Sequence, residues 1–197
     1  MSGIHRGRIR TIEAVLDAAK ALFEERPYEL IAMEEIAARA GVARATLYYN
    51  FSSKQEIAVA VSERERRRAL EGLRQLIDAE PPAEDVLQAV FWRAGQANTA
   101  MSEVSRIATL AALSSGAGRR PSPDDPWSTL RALEDLVRLG QRQEVFRSDL
   151  PAERLALMIA GLLLQVSLAA TPTDVSTPAW AEELAGLALD ALKARSA

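Results

Sequence analysis

Apolar residues recur every three or four positions along most of the chain, which is the period of an amphipathic α-helix. Ile12, Leu16, Ala19 and Phe23, for example, would share one face of a helix. The period-two alternation typical of strands is almost absent, so the pattern predicts an all-α fold of about nine helices. They are expected at residues 9–25, at 33–51 (two short helices), and at 53–77, 83–100, 102–113, 127–143, 151–170 and 178–195.

Residues 33–51 contain two short helical patterns joined by a turn at Gly41. Glycine adopts φ > 0 without a Cβ penalty, as a tight turn between helices requires. Ile36 and Leu47 would face each other across the turn, and the second helix presents a donor-rich surface without acids. A short braced helix of this kind fits the major groove of DNA, although similar helix pairs also occur in all-α proteins without that role. Its donors are Arg44, Thr46, Tyr48 and Tyr49.

A new helix is predicted to start at Ser53, because Ser53 and Glu56 form the spacing of a capping box. Lys54 adds a positive charge at this helix end, which would attract a DNA phosphate; an ordinary capped helix is the alternative. Farther along, residues 62–68 are charged on every side. Such a segment is typical of a solvated shaft between domains, so its arginines are expected to face solvent.

Composition and charge narrow the possible functions. The chain has no cysteine and a single histidine, His5, which argues against disulfides, thiolate metal sites, a histidine triad and a bound metal or cofactor. No signal peptide is visible, so a cytoplasmic location is expected. The net charge of −3 falls entirely on residues 81–197, and basic residues cluster in the arm 5–10. Residues 1–8 are expected to be a disordered arm that either is a solvated tail or contacts DNA.

The segments around this motif resemble the TetR family of transcriptional regulators over residues 9–60. The resemblance rests on the apolar positions of residues 12–23, on Ile36-Ala37, Ala40-Gly41-Val42 and Thr46-Leu47-Tyr48, and on Phe51-Ser52-Ser53-Lys54. It implies a three-helix DNA-binding domain at 1–52 and a ligand-binding, dimerising helical domain at 53–197. The DNA-binding residues that the motif and the resemblance indicate are Met33, Arg44, Ala45, Thr46, Tyr48, Tyr49, Asn50 and Lys54.

The sequence departs from the family pattern at a few motif positions. Ala32 and Ala43 stand where the family usually has a Thr or Ser helix cap, and losing a cap costs about 1 kcal/mol. Glu34 places an acid near the expected phosphates, and Asn50 stands where histidine is common. These departures put the strength and the sequence of the operator in doubt, but not the class of protein.

The resemblance also implies a small-molecule effector that binds in the C-terminal domain and tilts the helix beginning at Ser53. An apolar cavity with a few polar groups is expected there. The candidate lining residues are Leu73, Ile77, Gln88, Phe91, Trp92, Gln96, Ile107, Leu110, Trp127 and Leu130. Residues 114–126 have loop chemistry and are either a plain connector or a gate over this cavity.

The last two predicted helices indicate a homodimer. Residues 155–164 carry no polar side chain, and this stretch is too short to span a bilayer, so a second copy of the chain is expected to cover one side. The candidate interface residues are Leu157, Gly161, Leu164, Leu168, Trp180, Leu184, Leu187 and Ala191. A dimer would read a palindromic operator, and repression is the family default. An all-α enzyme and a dimerising scaffold are the rival hypotheses; the first lacks recognisable catalytic groups, and the second leaves the donor-rich helix unexplained.

Overall fold

The computed structural model describes the backbone of residues 2–114, 128–168 and 177–193. These residues form eight α-helices and one short 3-10 helix, with no strand beyond a single isolated bridge, so the predicted all-α fold is confirmed. The helices are α1 (Ser2–Glu25), the 3-10 helix (Tyr28–Leu30), α2 (Met33–Arg39), α3 (Arg44–Asn50), α4 (Lys54–Asp78), α5 (Ala83–Ser114), α6 (Thr129–Arg142), α7 (Ala152–Leu168) and α8 (Thr177–Leu192).

Two predicted boundaries were wrong. The expected break between residues 100 and 102 does not exist, because α5 is continuous from Ala83 to Ser114. No proline interrupts this stretch, and its Asn, Thr and Ser residues cost only fractions of a kcal/mol each in a helix. Residues 2–8, expected to be a disordered arm, form the first turns of α1. Of the predicted loop at 114–126, Ser114 is the last residue of α5, and residues 115–126 lie outside the described residues.

The described helices enclose two separate hydrophobic cores. The N-terminal core contains the inward-facing residues of α1, α2 and α3, including Ile36 and Leu47 as predicted. The C-terminal core is built by α4 to α8; within it α5 packs on α4, α7 and α8, while α6 packs on α7. Helix α4 contributes Ile57 to the first core and Ile77 to the second, so it bridges them as expected.

Helix α5 also reaches the N-terminal core, which the sequence did not indicate. Val104 is buried there, and its carbonyl accepts a hydrogen bond from the Ser62 hydroxyl of α4 at 3.4 Å. Two long helices, α4 and α5, therefore connect the cores. A displacement in the C-terminal core can be transmitted to the N-terminal core through either helix.

Ion pairs fix α4 against α1. The Arg64 side chain is only 11% exposed, and its Nη1 lies 3.0 Å from Glu13 and 2.9 Å from Asp17. The expectation that this arginine faces solvent was therefore wrong: acids on α1 neutralise it. Lys20 donates to Glu65 at 2.8 Å. Burial raises the pKa of Glu65, but the hydrogen bond of Lys20 and the charges of Lys20, Arg68 and Arg64 together outweigh it and hold that pKa below its ordinary value.

Close packing joins the end of α6 to the chain that follows it. Gly140 contacts the ring of Phe146, which is buried and pairs with Lys193 in the isolated bridge. A side chain at position 140 would overlap this ring. No helix in the described part of the chain is long and apolar enough to cross a membrane.

Candidate nucleic-acid interface

The turn between α2 and α3 has the predicted geometry. Gly41 has φ +66°, the left-handed conformation that glycine adopts readily. The Val42 amide donates to the Ala37 carbonyl at 3.0 Å, which closes the end of α2. Because Leu47 of α3 is fully buried in the N-terminal core, the rotation of α3 about its axis is fixed. The side chains on its other faces are thereby directed outward.

Both motif helices lack a side-chain cap, as the sequence indicated. Ala32 and Ala43 occupy the N-cap positions in extended backbone and offer no hydrogen bond. Helix α2 has Glu34 and Glu35 in its first turn, which interact favourably with the helix dipole. Helix α3 has no acid in its first turn and begins with Arg44. Helix α3 is therefore held in place by tertiary packing and not by capping or charge interactions at its N-terminus.

The outer face of α3 is exposed, as a DNA-reading surface requires. Tyr49 is 77% exposed and Tyr48 is 42% exposed, although large aromatic residues are usually buried. Arg44 and Ala45 are also exposed, and Thr46 is half-buried. Of the other predicted contact residues, Met33 is half-buried against the N-terminal core.

A carboxylate of α2 contacts two residues of this face. Arg44 Nη2 lies 2.8 Å from Glu34 Oε1, and the Tyr48 hydroxyl donates to the same oxygen at 3.4 Å. The Arg44 guanidinium also lies over the Tyr48 ring, 5.5 Å from its centroid. The sequence indicated that Glu34 is near this surface. It did not indicate these contacts, because Glu34 is 10 positions from Arg44 and 14 from Tyr48, on a different helix.

The start of α1 lies against the end of α3. Arg8 Nε donates to Asn50 Oδ1 at 3.2 Å, and its guanidinium lies 5.7 Å from the centroid of the Tyr49 ring. Asn50 Nδ2 in turn donates to the Thr46 carbonyl at 2.8 Å. Arg8 therefore extends the basic surface beyond α3. It belongs to the basic arm noted in the sequence, but as part of a helix.

The ammonium group of Lys54 is held by backbone carbonyls. Lys54 Nζ donates to the carbonyls of Tyr28 at 2.6 Å, Ile31 at 2.8 Å and Glu29 at 3.3 Å, and lies 4.2 Å from the centroid of the Tyr28 ring. These contacts attach the start of α4 to the 3-10 helix. A phosphate contact by Lys54 stays a prediction, and the carbonyls compete with it for the three ammonium protons.

One half of the predicted capping box at the start of α4 is present, and the Glu56 carboxylate accepts from Ser52, one residue before the N-cap Ser53. Ser53 Oγ accepts a hydrogen bond from the Glu56 amide at 3.2 Å, and Glu56 Oε2 accepts from the amide and hydroxyl of Ser52 at 2.7 and 2.8 Å. The negatively charged carboxylate of Glu56 therefore lies beside the N-terminus of α4. It reduces the attraction of the end for a phosphate.

Comparison with known proteins agrees with this geometry. The family model described as bacterial regulatory proteins, tetR family, matches residues 15–61. An uncharacterised HTH-type transcriptional regulator of Mycobacterium tuberculosis is 32% identical over 143 residues, which cover 64% of this chain and 71% of that protein. The chain belongs to the TetR family. Its relatives in these comparisons are transcriptional regulators.

Other TetR-family proteins resemble the chain over shorter or more divergent stretches. The HTH-type transcriptional activator FasR of Mycolicibacterium smegmatis is 43% identical over 63 residues, which cover 32% of this chain and 29% of FasR. The structure of Thermus thermophilus FadR, a TetR-family repressor in complex with lauroyl-CoA, superimposes with a TM-score of 0.68 at 20% identity. The superposition covers 94% of this chain and 97% of FadR, and it shows a shared fold.

A cavity of about 670 Å³ lies at the junction of the two cores. Residues of α1, α4, α5 and α6 line it, and Leu163 of α7 completes the lining. Its walls are mainly apolar, and the Lys20–Glu65 ion pair forms part of them. Trp92 lines the cavity and is 51% exposed, so an occupant could cover it. This volume lies within the range of about 300–1,000 Å³ that small-molecule sites occupy.

The cavity includes only part of the predicted ligand-binding set. Leu73 and Trp92 line it, and Lys20 and Glu24 of α1, which sequence reasoning missed, line it too. The side chain of Gln96 and the whole of Trp127 lie outside the described residues. The other predicted residues lie away from the cavity: Ile77 and Phe91 in the C-terminal core, Leu130 against that core, Ile107 against the N-terminal core, and Gln88 and Leu110 at the surface.

The predicted dimer residues divide into exposed and buried groups. Leu157, Gly161 and Leu164 share one exposed face of α7, because they are spaced four and three residues apart. Leu187 is 61% exposed on α8, with Ala191 exposed one turn later. By contrast, Leu184 is buried in the C-terminal core, Trp180 packs against that core, and the side chain of Leu168 lies outside the described part.

Proposed function

We propose that the protein is a transcriptional repressor that binds a palindromic operator as a homodimer and dissociates when a small molecule fills the junction cavity. The observation that carries the proposal is the outward face of α3, where Arg44, Thr46, Tyr48 and Tyr49 lie on a rigid helix fixed by Leu47. Placement of a donor-rich helix on a packed scaffold is the arrangement that major-groove reading requires.

The contacts with DNA divide into reading and positioning. Arg44, at the first turn of α3, is assigned to a guanine edge, where a guanidinium can bind the O6 and N7 acceptors together. Ala45 and Thr46 lie beside it and complete the reading surface, with Met33 at its edge. Tyr48, Tyr49 and Asn50 are assigned mainly to phosphates, together with Arg8. In this assignment residues 1–52 are the DNA-binding domain, and residues 53–197 form the regulatory domain.

The effector is assigned to the junction cavity because α4 contributes eight of its lining residues, and α1 adds Lys20 and Glu24. Lys20 and Glu65 line it and join the two helices, so an occupant that separates them changes the angle of α4. Helix α4 has 25 residues and is about 37 Å long, so a tilt of about 5° moves its far end by about 3 Å. A coupling of about 1–3 kcal/mol would change DNA affinity about 5- to 150-fold.

The chemistry of the lining indicates an effector that is mostly apolar. Leu73, Leu76, Val90 and Trp92 offer apolar surface, and charged groups occupy only part of the wall. Lauroyl-CoA, bound by the similarly folded FadR, is a reasonable first probe alongside free fatty acids and uncharged aromatic compounds. Binding should quench or shift Trp92 fluorescence, and Trp92→Phe is the control for the other two tryptophans.

A second copy of the chain is assigned to the exposed leucines of α7 and α8. Leu157, Leu164 and Leu187 present large apolar side chains to solvent in the single chain. Two such helices from each copy would form a four-helix interface of two-fold symmetry. Dimerisation is needed because one two-turn reading helix contacts too few bases for a specific site.

A gel-shift experiment tests the proposal. The full-length protein is mixed with fragments from the region beside its own gene and with a pool of genomic fragments, at a stated salt concentration. We expect a shifted band that disappears when unlabelled fragment is added in excess. The band should also weaken when a compound that changes Trp92 fluorescence is added. The absence of a shift with every fragment would overturn the regulator function, and a shift unaffected by such an effector would overturn the release mechanism.

A further inference from the structure

Glu34 is the one acid that touches the reading residues among the contacts described for α3. Its Oε1 lies 2.8 Å from Arg44 Nη2 and accepts from the Tyr48 hydroxyl at 3.4 Å. The Arg44–Tyr48 contact, with the guanidinium 5.5 Å from the ring centroid, closes a triangle of three side chains. All three side chains are at least 42% exposed on the proposed DNA face, so water or DNA can reach them.

The position of Glu34 is not explained by stability alone. An acid in the first turn of α2 compensates for the missing cap at Ala32, but Glu35 is in the same turn and serves the same purpose. Glu35 pairs with Arg26, next to α1, and has no described contact with α3. An exposed ion pair such as Glu34–Arg44 contributes little to folding, about 0–1 kcal/mol. Near DNA, however, the charge of Glu34 repels every phosphate.

The Arg44 guanidinium can serve Glu34 and a base at once. It has five N–H donors, and the contact with Glu34 uses one nitrogen at a single carboxylate oxygen. Guanine presents two uncharged acceptors in the major groove, so it can bind the remaining donors without meeting a like charge. A phosphate oxygen at the same place would lie close to the carboxylate and be repelled.

We propose that Glu34 is a specificity-determining residue, which holds Arg44 for a guanine edge and prevents it from binding the phosphates of any sequence. This inference rests on the proposed DNA-binding function. Arg44 is the group that contacts the base, and Glu34 acts through it. Glu34 thus weakens binding to all DNA and weakens binding to non-operator DNA more than binding to the operator.

The test compares Glu34→Gln with Glu35→Gln, two isosteric variants that remove the same charge from the same turn. Each protein is titrated with the duplex that the wild type selects from a random pool and with a scrambled duplex, over a range of salt. Glu34→Gln should bind the scrambled duplex about two- to fivefold more tightly for each copy of the chain in the dimer, the range to which one exposed ion pair corresponds. The salt slope of the dimer for that duplex should steepen by about 1.8, because Arg44 of each copy gains one phosphate.

The ratio of scrambled to operator dissociation constants should fall for Glu34→Gln and stay at the wild-type value for Glu35→Gln. Repeating the measurement in an Arg44→Ala background tests whether Glu34 acts through Arg44, since the change in this ratio should then disappear. Thermal unfolding of each variant establishes that all are equally folded at the assay temperature.

Two results would overturn the inference alone. In the first, the wild-type protein selects a DNA sequence, but Glu34→Gln and Glu35→Gln have the same effect on the ratio of dissociation constants. In the second, Glu34→Gln lowers this ratio in the Arg44→Ala background as well. A wild-type protein that selects no sequence would overturn the proposed function first, and this inference with it. The wild-type selection therefore separates the two failures.

Discussion

Replacing Lys54 with methionine separates two roles that one lysine can have at the start of α4. Methionine keeps the unbranched chain but removes the ammonium group, and with it the contact of that group with the Tyr28 ring. The two short hydrogen bonds to carbonyl oxygens, 2.6 Å to Tyr28 and 2.8 Å to Ile31, are lost, and so is the weaker one to Glu29 at 3.3 Å. The 3-10 helix is then no longer attached to α4 by a charged group.

The expected loss of stability follows from these bonds. A hydrogen bond contributes about 1 kcal/mol net, and water can reach the partly exposed carbonyls, so the loss should be about 2 kcal/mol. For a chain of this length that corresponds to a fall in the melting temperature of about 4–8 °C. Lys193→Met is the matched control, because that lysine is exposed and forms one surface ion pair; its melting temperature should hardly change.

The assay combines thermal unfolding with DNA affinity measured against salt at 20 °C, where both variants are folded. If the carbonyls hold Lys54 in the complex as well, Lys54→Met leaves the salt slope unchanged while the melting temperature falls. An unchanged melting temperature with a slope smaller by about 1.8 for the dimer would refute this reasoning, because the ammonium group of each copy would then be neutralising a phosphate. A fall in both quantities would show that Lys54 leaves the carbonyls when DNA binds.

Four further changes test other parts of the structure. Gly140→Ala should destabilise the protein by about 1–3 kcal/mol in denaturant unfolding, because the new methyl group overlaps the buried Phe146 ring. Leu187→Glu should raise the dimer dissociation constant in sedimentation by roughly a hundredfold or more, since each copy loses a buried leucine. Glu65→Gln should cost about 1 kcal/mol at pH 7. Because the pKa of Glu65 is lowered from 4.5, this difference should be full above pH 4.5 and vanish as the pH falls through the lowered value. Arg44→Ala should abolish about 1–3 kcal/mol of discrimination at one base pair per half-site, measured with single-substituted operators.

Each of these changes has a control or a contradicting result. Gly72→Ala adds a methyl group that meets nothing within 4 Å, so it should not destabilise α4; equal losses at positions 72 and 140 would refute the packing argument. Leu110→Glu changes another exposed leucine and should leave the dimer intact. A pH-independent effect of Glu65→Gln would show that its charge is irrelevant. If Arg44→Ala weakens binding equally to every sequence, Arg44 does not read a base.

The sequence predicted those features that depend on local pattern. Apolar spacing identified the helices, and glycine chemistry identified the turn at Gly41, whose φ is +66°. The same spacing placed Ile36 and Leu47 in the core and left Tyr48 and Tyr49 exposed. These properties follow from helical periodicity and from the backbone freedom of glycine. Both can be read from residues that are close together in the sequence.

Features that depend on contacts distant in sequence were not predictable. The acids of α1 that neutralise Arg64 are 47 or more positions away, so its charged neighbours suggested a solvated segment instead. The carbonyls that hold Lys54 belong to the 3-10 helix and to Ile31 just after it, more than 20 residues earlier. In the junction cavity, Lys20 lies beside residues of four other helices. Side-chain pairing of this kind is decided by tertiary packing, for which one sequence gives no periodic signal.

The most direct test of the account is selection of binding sites by the full-length protein from random duplexes. The account predicts enrichment of an inverted repeat whose half-sites have centres about one helical turn apart, roughly 10 base pairs, with a guanine in each half-site that Arg44→Ala no longer selects. Enrichment of no sequence, or of a single unrepeated site that Arg44→Ala selects equally well, would contradict it.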